Sequence, residues 1–393
     1  MKVIYTGEPM PTEVESSMFL VGPSPRSNDV PSWRPAALDY LRKRGYNGTV
    51  FVPEARDGEA YPDYDSQVGW EDTALNFTDC IVCWIPRDLE TMPAFTTNTE
   101  FGEWFKSGKM VYGAPQSLVD GVVTDAPKTK YQTYKALEAN VYSASKLETV
   151  LDDAMKFLDG GDLRGGGQCQ VPLYIWRTDE FQTWFCAHDW SKLRFDGAKV
   201  VWTHYVGPNK KLLFFWALEV DIYIASENRN KKNELIISRP DIASAVLYKK
   251  AEKIQDWEIV LVKEFRSACV NENGFVLELP GGSSQKPMKS FRDTIVSEIG
   301  EETGLSLRPG RLHSHFVRQM VSTMSIHCSF LYSAELTDSE MDFVKSQEGK
   351  VQGVEEDSER TYIEVWKYSD IMTSDKMDWS MIGMINQVVF EKS

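Results

Sequence analysis

Asp79-Cys-Ile-Val-Cys-Trp-Ile-Pro-Arg-Asp88 and Pro93-Ala-Phe-Thr-Thr-Asn-Thr-Glu-Phe-Gly102 carry the clearest fold signals of the front half. Cys80 to Ile85 is a short apolar run bounded by Asp and Pro, the pattern of a strand buried on both faces. The Thr-rich segment after it is a polar loop leading into a helix. The same punctuation recurs along residues 1 to 158. Val3 to Tyr5, Met18 to Val21, Thr49 to Val52 and Met110 to Tyr112 read as strands, each running into Gly or Pro. Ala36 to Arg44, Trp70 to Asn76 and Phe101 to Lys106 read as helices between them. Strand and helix in alternation predict a doubly wound, parallel α/β sheet, whose ligands bind beyond the C-terminal strand ends. Lys146 to Leu158 closes the region as an amphipathic helix, with Leu147, Val150, Leu151, Ala154 and Leu158 on one side.

The chain has 393 residues, enough for two domains with full cores, and is 42% hydrophobic and 12% aromatic, as a globular protein is. Its net charge of −15 argues against a nucleic-acid polymer as partner, because phosphate backbones need clustered Lys and Arg. Small nucleotides remain compatible, since helix N-termini and metals can hold them. Cys80 and Cys83 have CxxC spacing but sit in an apolar run with no second pair nearby, so they read as small buried residues. The scattered cysteines and the absence of a signal-peptide pattern point to the cytoplasm. The longest apolar run, Leu212 to Ala225, is broken by Glu219 and Asp221 and is too short to span a bilayer. A homo-oligomer is left open.

Asp159-Gly-Gly-Asp-Leu-Arg-Gly-Gly-Gly167 breaks the composition and reads as a Gly-rich linker over 159–169. It separates the α/β domain at 1–158 from a strand-rich region at 170–393. There Leu218, Val220, Ile222 and Ile224 alternate with polar residues as in a half-buried strand. Residues 227–233 form a polar hairpin tip.

Several front residues admit two readings. Thr97-Asn-Thr-Glu100 has the form of a capping box, which needs no function. Glu100 also follows a strand and a polar loop, where α/β active sites lie. Trp70 is either core packing or a stacking surface, and Glu71 either a solvated side chain or a proton donor. Gly22-Pro-Ser-Pro-Arg26 is either a simple turn or a cradle for a phosphate or 5′-hydroxyl, with Arg26 as its charge. Asp79 reads as structural. The series Gly22-Pro23, Trp70-Glu71, Asp79 to Asp88 and Pro93 to Gly102 resembles the nucleoside 2-deoxyribosyltransferase-like family over roughly residues 18 to 118. The resemblance implies that Glu100 is a nucleophile attacking C1′ of a sugar, with Glu71 protonating the departing base. Gly22, Pro23, Arg26, Trp70, Thr97 and Asn98 would bind substrate.

In the rear half, Ser297-Glu-Ile-Gly-Glu-Glu-Thr-Gly-Leu305 places Glu298, Glu301 and Glu302 on one helical face, in a last turn closed by Gly304. Pro287 reads as a first-turn residue. No Lys or Arg at helical spacing offsets this charge at the negative helix end, so the cluster suits Mg²⁺ or Mn²⁺; a solvated acidic face is the alternative. With Val260 to Arg266 and Val276-Leu-Glu-Leu-Pro-Gly-Gly282 upstream, the segment resembles the Nudix box of ADP-ribose-type pyrophosphatases. The resemblance implies an α+β Nudix domain, metal held by Glu298, Glu301 and Glu302, catalysis by Glu301 and Glu302, and substrate contacts at Arg266, Glu278 and Gly282. Ser297 stands where the pattern has Arg, and Met288 or Lys289 where a loop Glu is expected.

His313 and His315 share one face of a strand. A metal there needs a third ligand that the sequence does not place, which leaves them as ordinary surface or core histidines. The combined expectation is a bifunctional enzyme for small nucleosides or nucleotides. It would cleave or transfer across an N-glycosidic bond and hydrolyse a diphosphate with Mg²⁺. Two alternatives stand beside it: NAD and ADP-ribose degradation, and a glycosyl-bond enzyme regulated by a non-catalytic Nudix sensor.

Overall fold

Strict alternation of buried residues sets the two faces of the first sheet. The computed structural model describes residues 1–27, 29–56, 63–119, 122–125, 129–141, 143–207, 212–283, 290–353 and 360–393. The chain divides into two compact units, Met1–Ile237 and Ser238–Ser393. Unit 1 opens with β1 (Lys2–Tyr5), β2 (Glu13–Val14), β3 (Ser17–Val21), α1 (Arg34–Lys43), β4 (Thr49–Val52), α2 (Tyr64–Phe77), β5 (Cys80–Trp84) and α3 (Phe95–Trp104). It continues with β6 (Met110–Gly113), a hairpin of β7 (Gln116–Val119) and β8 (Val122–Asp125), α4 (Lys130–Glu138), β9 (Ser143–Ala144) and α5 (Leu147–Leu158).

The sheet is six-stranded in the order β1-β4-β3-β5-β6-β9, and every pairing is parallel. Met18, Leu20, Cys80 and Val82 pack with α1 and α5 on one face; Phe19, Val21, Ile81 and Cys83 pack with α2, α3 and α4 on the other. The expected doubly wound sheet is present. Cys80 and Cys83 are free, buried and on opposite faces, so they cannot share a metal or a disulfide, and burial pushes both thiols up. The chain passes from β3 to β4 on one side and from β4 to β5 on the other. This reversal opens a crevice beyond the C-terminal ends of β3 and β5, the usual ligand position in such sheets.

The boundary expected at 159–169 falls inside unit 1. Within that stretch β10 (Arg164–Gly165) pairs antiparallel with β2. The Arg164 guanidinium, fully buried, donates to both oxygens of the equally buried Asp79 at 2.8 and 2.7 Å. Asp79 also accepts from Ser17 Oγ at 2.9 Å and from the Leu173 amide at 2.9 Å, so it is structural. Two of the glycines, Gly161 and Gly167, serve close approach rather than flexibility. A Cβ on Gly167 would come within 2.3 Å of the Asp196 backbone, and one on Gly161 within 2.6 Å of the Glu15 carbonyl oxygen. Unit 1 then runs through α6 (Leu173–Trp176), α7 (Asp179–Cys186), β11 (Leu193–Val206), β12 (Leu212–Ile224) and β13 (Arg229–Ser238). The last three strands form a separate sheet, turned at Asn228 in the left-handed conformation. Residues 170–237, the first part of the strand-rich region, thus belong with the front unit and the rest with the rear one.

Unit 2 contains β14 (Ile242–Lys249), β15 (Glu258–Phe265), β16 (Phe275–Glu278), β17 (Gly281–Gly282), α8 (Phe291–Thr303), β18 (His313–Gln319) and β19 (Cys328–Glu335). After these come α9 (Asp338–Ser346), β20 (Val351–Gln352), β21 (Thr361–Lys367), α10 (Tyr368–Thr373) and α11 (Trp379–Lys392). The unit is mostly an eight-stranded sheet, in which β14 and β19 run parallel and the other pairs antiparallel. Ala243, Ala245 and Leu247 face α8 and α9, while Val246 and Tyr248 face α11. Helix α8 ends as expected, with Gly304 left-handed at φ 67°, and starts at the Ser290 cap; Pro287, Met288 and Lys289 lie outside the described residues. Among the described residues no helix is long and apolar enough to cross a membrane.

Candidate active site

A loop and two helices at the C-terminal edge of the parallel sheet meet in a cleft of about 330 Å³, within the range of small-ligand sites. The loop after β3 brings Gly22, Pro23, Ser24 and Arg26. Helix α2 brings Tyr64, Gln67, Val68 and Glu71, spaced i, i+3, i+4, i+7 and hence one face. The start of α3 brings Ala94, Phe95, Thr96, Thr97 and Glu100.

Helices α2 and α3 both begin earlier than their apolar periodicity predicts, and this changes what the two glutamates can do. Asp63 caps α2, accepting from the Ser66 amide at 2.7 Å, so Glu71 lies well inside the helix. Helix α3 starts at Phe95 after Ala94, which is left-handed at φ 63° and gives no side-chain cap. The capping box expected at Thr97 to Glu100 is absent: Thr97 is already helical, and Glu100 lies one turn into the helix with its carboxylate on the cleft. A non-glycine residue held left-handed at the mouth of a cleft is strained backbone of the kind that collects at functional sites.

Burial pushes the Glu100 carboxyl up to about 7, and the charges of Glu71 and Glu103 add to the rise, while Arg34 opposes it. Glu71 is also raised, chiefly by burial, against the Gln67 amide that donates to its Oε1 at 2.9 Å. Arg34 is buried beside the pair. Its guanidinium donates to the carbonyls of Leu20 at 3.1 Å and Gly22 at 2.6 Å, to Ser24 Oγ at 3.0 Å and to Glu54. It thereby shapes the loop after β3 and supplies the positive charge nearest both carboxyls. Gly22 has no alternative there, because a Cβ would stand 2.3 Å from the Trp84 carbonyl oxygen.

Gly22, Pro23, Arg26, Glu71, Thr97 and Glu100 therefore gather in one cleft, as the sequence predicts. Trp70 and Asn98 do not line it. Trp70 packs on Phe19 and Phe51, with its indole donating to the Glu8 carbonyl at 2.8 Å, because its helical position faces the sheet. Asn98 Oδ1 accepts from Arg87 and from Gln132 at 2.8 Å, which holds it away from the cleft. Arg34, Gln67 and Phe95 were missed. Arg34 had one legible signal: a cation in the first turn of a helix opposes the macrodipole and needs another reason to be there.

In unit 2 Glu301 of α8 stands apart from Glu298 and Glu302. Glu302 accepts from the Gly281 amide at 3.0 Å, Glu298 lies against Gly282, and Glu301 is exposed. Burial raises Glu302 well above the usual carboxylate range, with Glu298, Glu264 and Glu278 adding to it. Arg266 bridges Glu278 at 2.7 Å and Glu264 at 2.8 Å. Arg266, Glu278, Gly282, Glu298 and Glu302 are thus neighbours, but among the described residues Glu298, Glu301 and Glu302 do not converge as three ligands.

The parallel sheet, the cleft at its switch point and the paired carboxyls are the setting for the comparison with known proteins. Residues 15–118 match the family described as "Nucleoside 2-deoxyribosyltransferase like". The match covers β3 to β7 and with them every residue of the cleft. It supports a transferase or hydrolase acting on a glycosyl bond. No curated protein matches the chain. Nothing in the comparisons supports the Nudix reading of the rear half.

Proposed function

We propose that unit 1 cleaves the N-glycosidic bond of a nucleoside or nucleotide through a glycosyl-enzyme ester on Glu100. The observation that carries this reading is the pair Glu71 and Glu100 in one cleft, both raised and both beside Arg34, within the segment that matches the family. In the first step a Glu100 oxygen attacks C1′ as the bond from C1′ to the base nitrogen breaks. Glu71 gives its proton to the departing base, which leaves neutral. In the second step Glu71 takes a proton from water or from an acceptor base, whose oxygen or nitrogen attacks C1′ and releases Glu100. The pattern is that of a carboxylate nucleophile dividing one hard displacement into two. Gly22, Pro23 and Arg26 hold the sugar's 5′ end, and Phe95 and Thr97 flank the nucleophile.

Release of base from nucleosides, dNMPs, dNTPs and NAD, with and without a second base, tests the reading. Activity on none of them would remove it, and dNMP activity without nucleoside activity would assign Arg26 to a phosphate. The two raised carboxyls, Glu100 needed ionised and Glu71 protonated, predict a bell-shaped pH profile. Glu71→Gln is expected to slow base release about 100- to 10,000-fold and to abolish the alkaline limb while leaving the acid limb in place. An unchanged alkaline limb would show that another group donates the proton.

For unit 2, a Mg²⁺-dependent diphosphate hydrolase is the second reading. Its support is the crowding of Glu302 with Glu298, Glu264 and Glu278 at the C-terminal end of α8, which a divalent cation would relieve. Glu298 and Glu302 would hold such an ion, which would polarise a diphosphate. Mg²⁺ or Mn²⁺ is expected to raise Tm, and Glu302→Gln to cancel the increase. Metal binding with no hydrolysis of dNTPs, NAD or ADP-ribose would make unit 2 a nucleotide sensor, and no metal effect on Tm would leave a solvated acidic face.

A further inference from the structure

The third ligand that the sequence could not place for His313 and His315 is supplied by the last helix. Both histidines project from one face of β18, and their rings meet edge to face at a centroid distance of 4.7 Å. Glu391, near the end of α11, reaches them. One ligand atom from each of His313, His315 and Glu391 lies within 4.8 Å of the others. His315 Nδ1 stands 2.8 Å from Glu391 Oε2.

The surrounding bonds orient these groups. His315 Nε2 lies 2.8 Å from Ser333 Oγ on the neighbouring β19, and its side chain is fully covered. In the tautomer that donates Nε2–H to Ser333, Nδ1 presents its lone pair to the space shared with Glu391 and His313, which is the form that binds an ion. Gln387, one turn earlier on α11, donates to Glu391 Oε1 at 2.5 Å and leaves Oε2 to face His315. A ligating imidazole fixed through its other nitrogen, and a carboxylate fixed through its other oxygen, are the outer-shell arrangement of protein metal centres.

We propose that His313, His315 and Glu391 form a binding site for a borderline divalent transition ion, with Zn²⁺ as its ligand of choice. Two imidazoles and one carboxylate suit Zn²⁺ in tetrahedral coordination with water in the fourth position, whereas Mg²⁺ prefers an all-oxygen shell. The ion would tie the end of α11 to β18, joining two segments far apart in sequence. Neither the cleft of unit 1 nor the glutamates of α8 take part.

The test is calorimetric titration of the metal-stripped full chain with ZnCl₂. Wild type is expected to bind one Zn²⁺ per chain and no Mg²⁺ at this site. His313→Ala and Glu391→Gln change exposed side chains, so their folding is not at risk. Each is expected to weaken Zn²⁺ binding by more than about 100-fold, and Ser333→Ala by about 10-fold, as loss of an outer-shell partner does. Glu298→Gln with Glu302→Gln should leave it unchanged. Co²⁺ in place of Zn²⁺ should give the strong visible absorption of a four-coordinate ion, lost in His313→Ala. Absence of Zn²⁺ binding would overturn the proposal, as would binding that survives both His313→Ala and Glu391→Gln.

Discussion

Glu100→Gln is expected to lower base release by at least about three orders of magnitude, because Gln keeps the size of the side chain but is no nucleophile. The same substitution should stabilise the protein at alkaline pH. The Glu100 carboxyl is raised from 4.5 to about 7 by burial first and by Glu71 and Glu103 second. A raised acid favours the folded state when protonated. That contribution is complete below about 4.5, is lost as pH rises towards 7, and is gone above it. Glu100→Gln removes the dependence, so its stability gain over wild type should be near zero at pH 4 and reach at most about 3 kcal/mol at pH 8. Denaturant melts of both proteins across this range check the sign. A folded Gln variant that releases base at the wild-type rate would exclude Glu100 as nucleophile, whatever its stability. A variant that is inactive and no more stable at pH 8 would keep the nucleophile but show the carboxylate to be well solvated.

Arg164→Met is expected to destabilise unit 1 by about 3–5 kcal/mol, the usual cost of leaving one member of a buried ion pair uncompensated. Arg164 and Asp79 are both fully buried, and the guanidinium makes bonds of 2.8 and 2.7 Å to the two carboxylate oxygens. In a unit of this size the loss corresponds to a fall in Tm on the order of 10 °C. Adding Asp79→Asn should recover much of it, since the stranded charge goes while an acceptor for the Leu173 amide remains. The same pair decides where the chain can be cut. A fragment of residues 1–158 loses Arg164 and leaves Asp79 alone in the core, so it should be insoluble or molten. A fragment of residues 1–237 retains the pair and the sheet of β11, β12 and β13, and should unfold cooperatively. A well-folded 1–158 fragment would show that the ion pair is dispensable and restore the Gly-rich break as the domain boundary.

The parallel α/β sheet, five of its six strands and the sheet edge at which the cleft opens were legible in the amino-acid order alone. Those features follow from short-range rules: short continuous apolar runs such as Met18 to Val21, buried on both faces, and Gly or Pro at each strand end. Most of the cleft was legible as well, because Gly22, Pro23, Glu71, Thr97 and Glu100 sit in short segments that carry their own turn and helix signals. Helix starts were less legible. Ala94 stands left-handed, which alanine does not favour, so helix α3 starts before Thr97 and the capping box there was a plausible local solution that the fold did not use.

Interactions between residues distant in sequence emerge only in the folded chain. Arg164 looks like part of a linker until Asp79, 85 positions earlier, is seen to need it. The glycines around it look flexible until the backbones of Glu15 and Asp196 are seen pressed against them. Arg34 gains its place beside two acids from three different strand ends. His313 and His315 gain Glu391 from a helix 76 residues past His315. A buried charge or an incomplete ligand set shows in a sequence only as an oddity. Its partner is chosen by the packing of whole elements, and no local periodicity records that choice.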